Sequence, residues 1–153
     1  MAYKIPESVL VVIHTADLRV LLMRRADTVA DCWQSVTGSR QSLDEPLMQT
    51  ALREVREETG IDGRAAGCRL ADWHRQNVYP LDPRWKWRYA PAVTHNTEHV
   101  FGLRVPDRTP IHLNPPEHTQ LIWLPWRAAA DRCFSTTNAK ACLLLPEQGA
   151  TES

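Results

Sequence analysis

Apolar and polar positions change their spacing several times along the chain, and each change predicts an element. Two runs of β-branched and other apolar residues, 8–14 and 19–23, are joined by the four residues 15–18 and predict a β-hairpin. Similar short runs, separated by proline-containing loops, predict further strands at residues 32–36, 69–74, 85–89, 98–105 and 121–124. Most of the chain is therefore expected to form a sheet.

One segment, residues 46–59, has helical spacing instead. Met48, Leu52 and Val55 lie four and three residues apart, so on a helix they would share the face toward the core. The ends of the segment favour the same helix, with residues suited to its cap, its first turn and its C-terminal stop: Asp44, Pro46 and Gly60.

A second helix is predicted within residues 138–145, with the polar cluster 135–138 as its cap. Residues 147–153 are polar and are expected to form a frayed tail. The order of strands, a helix, more strands and a helix predicts one α+β domain at residues 1–146. Its architecture would be an α/β/α sandwich with a mixed β-sheet between helices.

Composition narrows the possible partners. The 153 residues include 18 Lys and Arg and 18 Asp and Glu, and this balance excludes a nucleic-acid coat or a polybasic membrane binder. The apolar run near the N-terminus is too short to span a bilayer. Four scattered cysteines without a Cys-x-x-Cys pair argue against a zinc site or a disulfide framework and favour a reducing cytosol. We therefore expect a cytoplasmic protein without an evident obligate protein partner.

Candidate chemistry is concentrated at the C-terminal half of the first helix. Glu54 and Glu58 are one turn apart and Glu57 lies between them, so the three carboxylates would project from one side. Arg53 is placed to pair with Glu57. Such a cluster repels itself unless a cation lies among its members, and Mg²⁺ prefers oxygen ligands. On charge pattern alone, a solvated acidic helix face is the alternative interpretation.

The context of these acids resembles the Nudix hydrolase motif. Gly38 is followed by a polar loop, by Glu45 and, eight residues later, by the run Arg-Glu-Val-x-Glu-Glu-x-Gly-Ile. The loop departs from the family pattern: six residues, none of them glycine, separate Gly38 from Glu45, where the family has five. The resemblance implies the Nudix-type sandwich and hydrolysis of a pyrophosphate bond. It also implies Mg²⁺, with Mn²⁺ possible, bound mainly by the helix acids Glu54, Glu57 and Glu58.

Three further segments extend the resemblance over about residues 3–145. WQSVTGS, RYAPAVTHNTEH and PPEHTQLIWLP are similar to a bacterial Nudix subgroup that hydrolyses 7,8-dihydroneopterin triphosphate. The resemblance implies release of the monophosphate and pyrophosphate, an early step of folate synthesis. Two alternatives stay open: hydrolysis of (deoxy)nucleoside triphosphates or dinucleoside polyphosphates, and a Nudix domain that binds a ligand without hydrolysing it.

The resemblance also implies site residues outside the motif. Glu117 is expected to be a loop carboxylate that reaches the metal cluster, with Glu98 as the competing candidate. The catalytic group would then be Glu57, Glu117 and Arg53, with Glu57 closest to the chemistry. Matching positions imply substrate contacts at Lys4, Arg24, Thr37, Trp33 and Ser135. For Trp33, stacking on the pterin and packing in the core are both open.

Residues 84–89 read Arg-Trp-Lys-Trp-Arg-Tyr and alternate with period two. As a strand, this segment would bury its aromatic face and expose its basic face. The basic face, with Arg84 and Arg88, could contact a triphosphate or could protect an exposed sheet edge. The six histidines have no metal-site spacing on a predicted helix, and we expect them to be structural or solvent-facing.

Overall fold

The computed structural model describes residues 3–27 and 31–151, without the side chains of residues 150 and 151. Seven strands of the described chain form one sheet. They are β1 (Glu7–His14), β2 (Arg19–Arg25), β3 (Trp33–Gln34), β4 (Val36–Ser39), β5 (Arg69–Pro80), β6 (His95–Arg104) and β7 (His118–Pro125). The α-helices are α1 (Leu47–Thr59), α2 (Trp126–Arg132) and α3 (Thr136–Thr151).

The sheet is mixed and β1 is at its centre. β1 runs parallel to β6 and antiparallel to β4 and β2, while β5 pairs with β6 and β7 pairs with β2. Alternate residues of β1 face opposite layers: Val9 and Val11 pack toward α1, whereas Leu10 and Val12 pack toward α2 and α3. The predicted α+β sandwich with a mixed sheet between helices is confirmed.

Helix α1 ends as predicted but does not begin as predicted. Gly60 is left-handed, with φ 76°, and its N–H donates to the Arg56 carbonyl at 2.9 Å. The prediction that Asp44 caps the helix is wrong, because Pro46 is the N-cap residue and no side chain caps it. Near this end, the Glu45 carboxylate instead accepts hydrogen bonds from the Thr50 hydroxyl and the Gln41 N–H.

The buried face of α1 is rotated from the predicted one. Val55 is fully buried, but Met48 is 42% exposed and its predicted place in the core is wrong. Ala51 and Glu58 are buried instead. The helix therefore turns part of its acidic side toward the sheet, which the apolar spacing alone did not indicate.

The strand predicted around residues 84–89 is wrong. This segment forms a turn followed by a short 3₁₀ helix, Lys86–Arg88. The Asp82 carboxylate accepts the N–H of Arg84 at 2.9 Å, and the Asp82 carbonyl accepts the N–H of Trp85 at 2.9 Å. These local bonds start a turn instead of a ladder. As a result Trp87 is exposed and does not pack in the core.

The C-terminal helices are longer than predicted. α2 was not anticipated, and α3 exceeds the predicted segment 138–145 at both ends. The Ser135 hydroxyl accepts the Asn138 N–H at 3.0 Å, which confirms the predicted cap. Residues 147–151 continue α3, so the frayed tail is wrong there, and the boundary at residue 146 falls within a helix anchored by the fully buried Leu145. Residues 152–153 lie outside the described chain. No helix in the described ranges is long and apolar enough to cross a membrane.

Candidate active site

The carboxylates of α1 lie against β4 because Gly38 leaves room for them. A Cβ on Gly38 would lie 2.0 Å from Cδ of Glu54, so any larger residue would collide with this carboxylate. Glu58, one turn further, is 1% exposed, while Glu57 is exposed. One helix therefore presents acids at three depths.

Arg53 holds these acids in position. Its guanidinium donates to Glu45 and Glu54 at 2.9 Å each, to the Ser39 carbonyl at 2.9 Å and to Glu57 at 3.4 Å. The hydrogen bond from Arg53 holds the pKa of Glu45 down at about 2. The predicted pair with Glu57 is present, but Arg53 is bound more closely to Glu45 and Glu54.

The longer loop after Gly38 closes without glycine. Residues 39–44 are all described, and none of them has a positive φ. The Arg40 guanidinium instead donates to the carbonyls of Leu43 and Glu45 at 2.6 and 3.0 Å. The extra residue is thus accommodated while Glu45 still reaches Arg53.

A group of donors, buried except for Glu117, meets at the end of this acidic row. Glu58, Glu117 and His118 each offer an atom, and the three atoms lie within 4.8 Å of one another. In the described chain, both oxygens of Glu58 and Nδ1 of His118 are buried without a hydrogen-bond partner. Nδ1 of His118 and Oε1 of Glu58 lie 3.8 Å apart, which is too far for a hydrogen bond, and a bound cation would satisfy both atoms.

The pKa values of Glu58 and His118 agree with a cation-binding role for this group. Burial, followed by the nearby Glu54 carboxylate, raises the pKa of Glu58 to about 10. Burial, followed by the charge of Arg25, lowers the pKa of His118 to about 4, so the imidazole is neutral and has a lone pair to donate. Carboxylate oxygens with one imidazole nitrogen are a donor set that suits a divalent cation.

Acidic and basic side chains line one cleft that also includes this group. The acidic cleft, of about 610 Å³, is lined by the carboxylates of Glu54, Glu57, Glu58 and Glu117. Its remaining lining includes the basic residues Lys4, Arg25, Arg40, Arg53 and Arg88. Burial, then the charge of Arg88, lowers the pKa of Lys4. Such an arrangement can hold a cation on one side and polyphosphate oxygens on the other.

A second cleft adjoins the first. The aromatic cleft, of about 410 Å³, is lined by rings of Tyr79, Trp85, Tyr89 and Phe134. Both clefts share the lining residues Lys4, Arg25, Gln34, Thr37, Gly38 and Ser39. A single elongated ligand can therefore occupy both.

Comparison with known proteins agrees with this geometry. The profile described as "NUDIX domain" matches residues 4–144. The chain belongs to the Nudix family. It is 42% identical over 140 residues to "Dihydroneopterin triphosphate diphosphatase" of Escherichia coli (strain K12), covering 91% of each chain. The protein of the same name from Haemophilus influenzae is 38% identical over 142 residues, covering 92% of this chain and 87% of the other.

A solved Nudix structure shows the same fold. "Structure of the E. coli dihydroneopterin triphosphate pyrophosphohydrolase" superposes with a TM-score of 0.81 at 41% identity, over 93% of this chain and 95% of that one. Nudix hydrolases generally use divalent metal ions, and the buried group around Glu58 is consistent with this.

The structure brings the expected acids of the Nudix motif together. Glu54, Glu57, Glu58, Glu117 and Arg53 all line the acidic cleft. Glu98, the competing loop carboxylate, lies elsewhere. It is 5% exposed and lines the aromatic cleft, where its carboxylate accepts a hydrogen bond from the Asn77 amide at 3.3 Å.

The expected substrate residues divide into two groups. Those that line one or both clefts are Lys4, Thr37, Arg84, Arg88 and Ser135. Arg24 and Trp33 line neither. Arg24 pairs with Asp31 at 3.0 Å. Trp33 is 6% exposed and packs in the core on the side of α2 and α3, which agrees with the core-packing alternative and not with stacking on a pterin.

Two residues of this Nudix site were missed. Arg25 lines both clefts whereas Arg24 lines neither. Neighbouring side chains of a strand point to opposite faces, and a register shift between Arg24 and Arg25 changes the direction of the strand at this point. His118 was expected to be structural or solvent-facing, but it is a member of the buried donor group. Its position next to Glu117 was the available signal.

Proposed function

We propose that this Nudix protein is a Mg²⁺-dependent pyrophosphohydrolase that converts 7,8-dihydroneopterin triphosphate to the monophosphate and pyrophosphate. The observation that carries the proposal is that acids and basic residues line one cleft, which shares lining residues with a second, aromatic cleft. The two relatives named dihydroneopterin triphosphate diphosphatase, which are 42% and 38% identical over most of the chain, support this substrate.

Glu54, Glu57, Glu58 and Glu117 would hold the Mg²⁺, and Mn²⁺ suits the same oxygen donors. A divalent cation bound there would polarise the phosphoryl oxygens and lower the pKa of a bound water. Because Mg²⁺ retains waters, the exposed Glu57 is the acid best placed to accept the proton of the attacking water.

The other residues would orient the substrate. Lys4, Arg25 and Arg88, which line the same cleft as the acids, would bind the phosphates. Arg53 would fix the rotamers of Glu54 and Glu57 through its bonds to both. The water would attack the α or the β phosphorus and break the bridge between them, which gives the monophosphate and pyrophosphate.

We further propose that the protein works in the cytoplasm as one Nudix domain on a small-molecule substrate. All four cysteines are free thiols. Sγ of Cys133 and Cys142 lie 3.9 Å apart without a bond between them, which is compatible with a reducing compartment.

Product analysis in ¹⁸O-water tests substrate and bond together. Purified protein with Mg²⁺ should release pyrophosphate, and no orthophosphate, from dihydroneopterin triphosphate. The matched control is Glu57→Gln, which should remain folded and lose turnover by roughly 100-fold or more.

Two outcomes would contradict the proposal. Folded protein that releases no pyrophosphate would favour a Nudix domain that only binds a ligand. A higher kcat/KM for nucleoside triphosphates or dinucleoside polyphosphates would keep the enzyme class and change the substrate.

A further inference from the structure

We propose that Glu98 and Asn96, which line the aromatic cleft, bind the N–H groups of a 2-amino-4-oxopyrimidine ring. Pterins and guanine share this ring. The inference rests on the proposed function, because it assigns the ring end of the same substrate to the cleft beside the phosphate-binding residues.

Asn96 lines this cleft and has a buried, unpaired acceptor. It is 4% exposed, and its amide nitrogen donates to the Ser8 hydroxyl at 2.8 Å and to the Tyr79 hydroxyl at 3.0 Å. Its Oδ1 has no hydrogen-bond partner among the described residues. An unpaired buried acceptor is costly, and a ligand N–H would satisfy it.

Glu98 is the second acceptor. It lies two residues from Asn96 on β6, so both side chains leave the same face of the sheet, with Cα atoms roughly 7 Å apart. The Asn77 amide donates to Oε1 of Glu98 at 3.3 Å, and the hydroxyls of Thr137 and Tyr79 are near enough to favour the charged form of this carboxylate. A carboxylate has about four acceptor positions, so capacity remains for a ligand.

Burial raises the pKa of Glu98 despite these donors. A ligand that brings further N–H groups would therefore stabilise the charged carboxylate. The 2-amino group and the adjacent ring N–H of the pyrimidinone point in the same direction. They match the two oxygens of a carboxylate in the way that a guanidinium does.

The walls of the cleft suit a flat ring. Trp85 and Phe134 line it while remaining 37% and 65% exposed, although large aromatic side chains normally bury their faces. A pterin between such rings would cover apolar surface. Its triphosphate would then extend over Thr37 and Ser39, which line both clefts, toward the acids of α1.

The test is Glu98→Gln, which keeps the size of the side chain but replaces one acceptor oxygen with a donor. We expect kcat/KM for dihydroneopterin triphosphate to fall roughly 30- to 100-fold, mainly through KM. Inhibition by pyrophosphate, which has no ring, should be unchanged. Glu147→Gln, on the exposed side of α3, is the matched control and should behave like the wild type.

A measurement on the wild type makes the test independent of the variant's folding. Its affinity for 7,8-dihydroneopterin should exceed its affinity for the 2-oxo analogue, which lacks the amino group, by roughly 10-fold or more. Equal affinities, or a folded Glu98→Gln protein with wild-type KM, would overturn the inference. Comparing kcat/KM for GTP and for dihydroneopterin triphosphate then shows whether the site prefers the guanine or the pterin form of this ring.

The two proposals fail in different ways. Wild-type protein that does not hydrolyse dihydroneopterin triphosphate, yet binds dihydroneopterin through Glu98, refutes the proposed function and leaves the ring site. Hydrolysis that is indifferent to Glu98→Gln refutes the ring site and leaves the function.

Discussion

Replacing Gly38 tests how closely the acids of α1 must approach the sheet. In Gly38→Ala the new Cβ would meet the Glu54 carboxylate, which must move away from the acidic cleft. We expect kcat to fall roughly 100-fold, because a small misplacement of a catalytic group is costly. Circular dichroism should show retained secondary structure, since the collision is with a side chain.

Gly63→Ala is the control for this substitution. Its Cβ would meet the flexible end of Leu52, at 2.7 Å from Cδ2, and would lie in ordinary contact with Leu103 at 3.6 Å, away from the acidic cleft. Activity should stay within about two-fold of the wild type. Equal activity of Gly38→Ala and the wild type would show that Glu54 works equally well from another position.

The neighbours Arg24 and Arg25 provide a second test at the scale of residues. Arg25→Ala should raise KM for the triphosphate roughly 10-fold, because its guanidinium lines both clefts. Arg24→Ala removes only the pair with Asp31, and its KM should change by less than about two-fold. Steady-state kinetics with both variants checks this, and a larger effect of Arg24→Ala would reverse the assignment.

The acids that meet at the cleft were predicted from the sequence better than the basic residues were, for a physical reason. Glu54, Glu57 and Glu58 belong to one helix, so their spacing fixes their relation. Arg25 and His118 come from two paired strands, and the register shift that re-aims Arg25 depends on that pairing. A pattern within one segment does not contain this information.

At the scale of elements, the bond between Glu45 and Arg53 joins the loop to α1, and its effect depends on pH. The pKa of Glu45 is about 2 in the folded protein and near its ordinary value of 4.5 when unfolded. The bond therefore stabilises fully above pH 4.5, and this contribution is lost as pH falls toward 2. In Glu45→Gln the free energy of unfolding at neutral pH should fall by about 1–3 kcal/mol.

Urea denaturation at a series of pH values measures this effect. The difference between wild type and Glu45→Gln should shrink steadily as the pH is lowered below 4.5. A difference that stays constant down to acid pH would show that the bond is not electrostatic in origin.

Elements with a single consistent signal were predicted, and elements with competing signals were not. The helical spacing of α1 and its stop at Gly60 agreed with each other, and the helix and its end were confirmed, although its buried face is rotated. In residues 84–89, strand alternation competed with the turn started by Asp82, and the local hydrogen bonds determined the structure. Helix α2 is seven residues long and directly follows a strand, so periodicity had too few positions to reveal it.

For the molecule as a whole, the buried Glu58 carboxyl lowers the stability of the folded protein when no metal is bound. Burial raises the pKa of Glu58 to about 10, so the protonated side chain favours the folded state below its unfolded pKa of 4.5. That contribution is progressively lost as pH rises from 4.5 toward 10. The metal-free protein is therefore weakened at the neutral and alkaline pH at which a carboxylate is needed to bind a cation.

Glu58→Gln separates stability from metal binding. Glutamine keeps the size and can donate a hydrogen bond, but it carries no charge to bury. Without metal, at about pH 8, the variant should melt several degrees above the wild type, and this gain should vanish near pH 4.5. Millimolar Mg²⁺ should raise the Tm of the wild type and leave that of the variant nearly unchanged, because a cation that binds only the folded state stabilises it. A metal-free variant less stable than the wild type at about pH 8 would mean that Glu58 is satisfied by the protein itself, and the case for a cation at this position would then be lost.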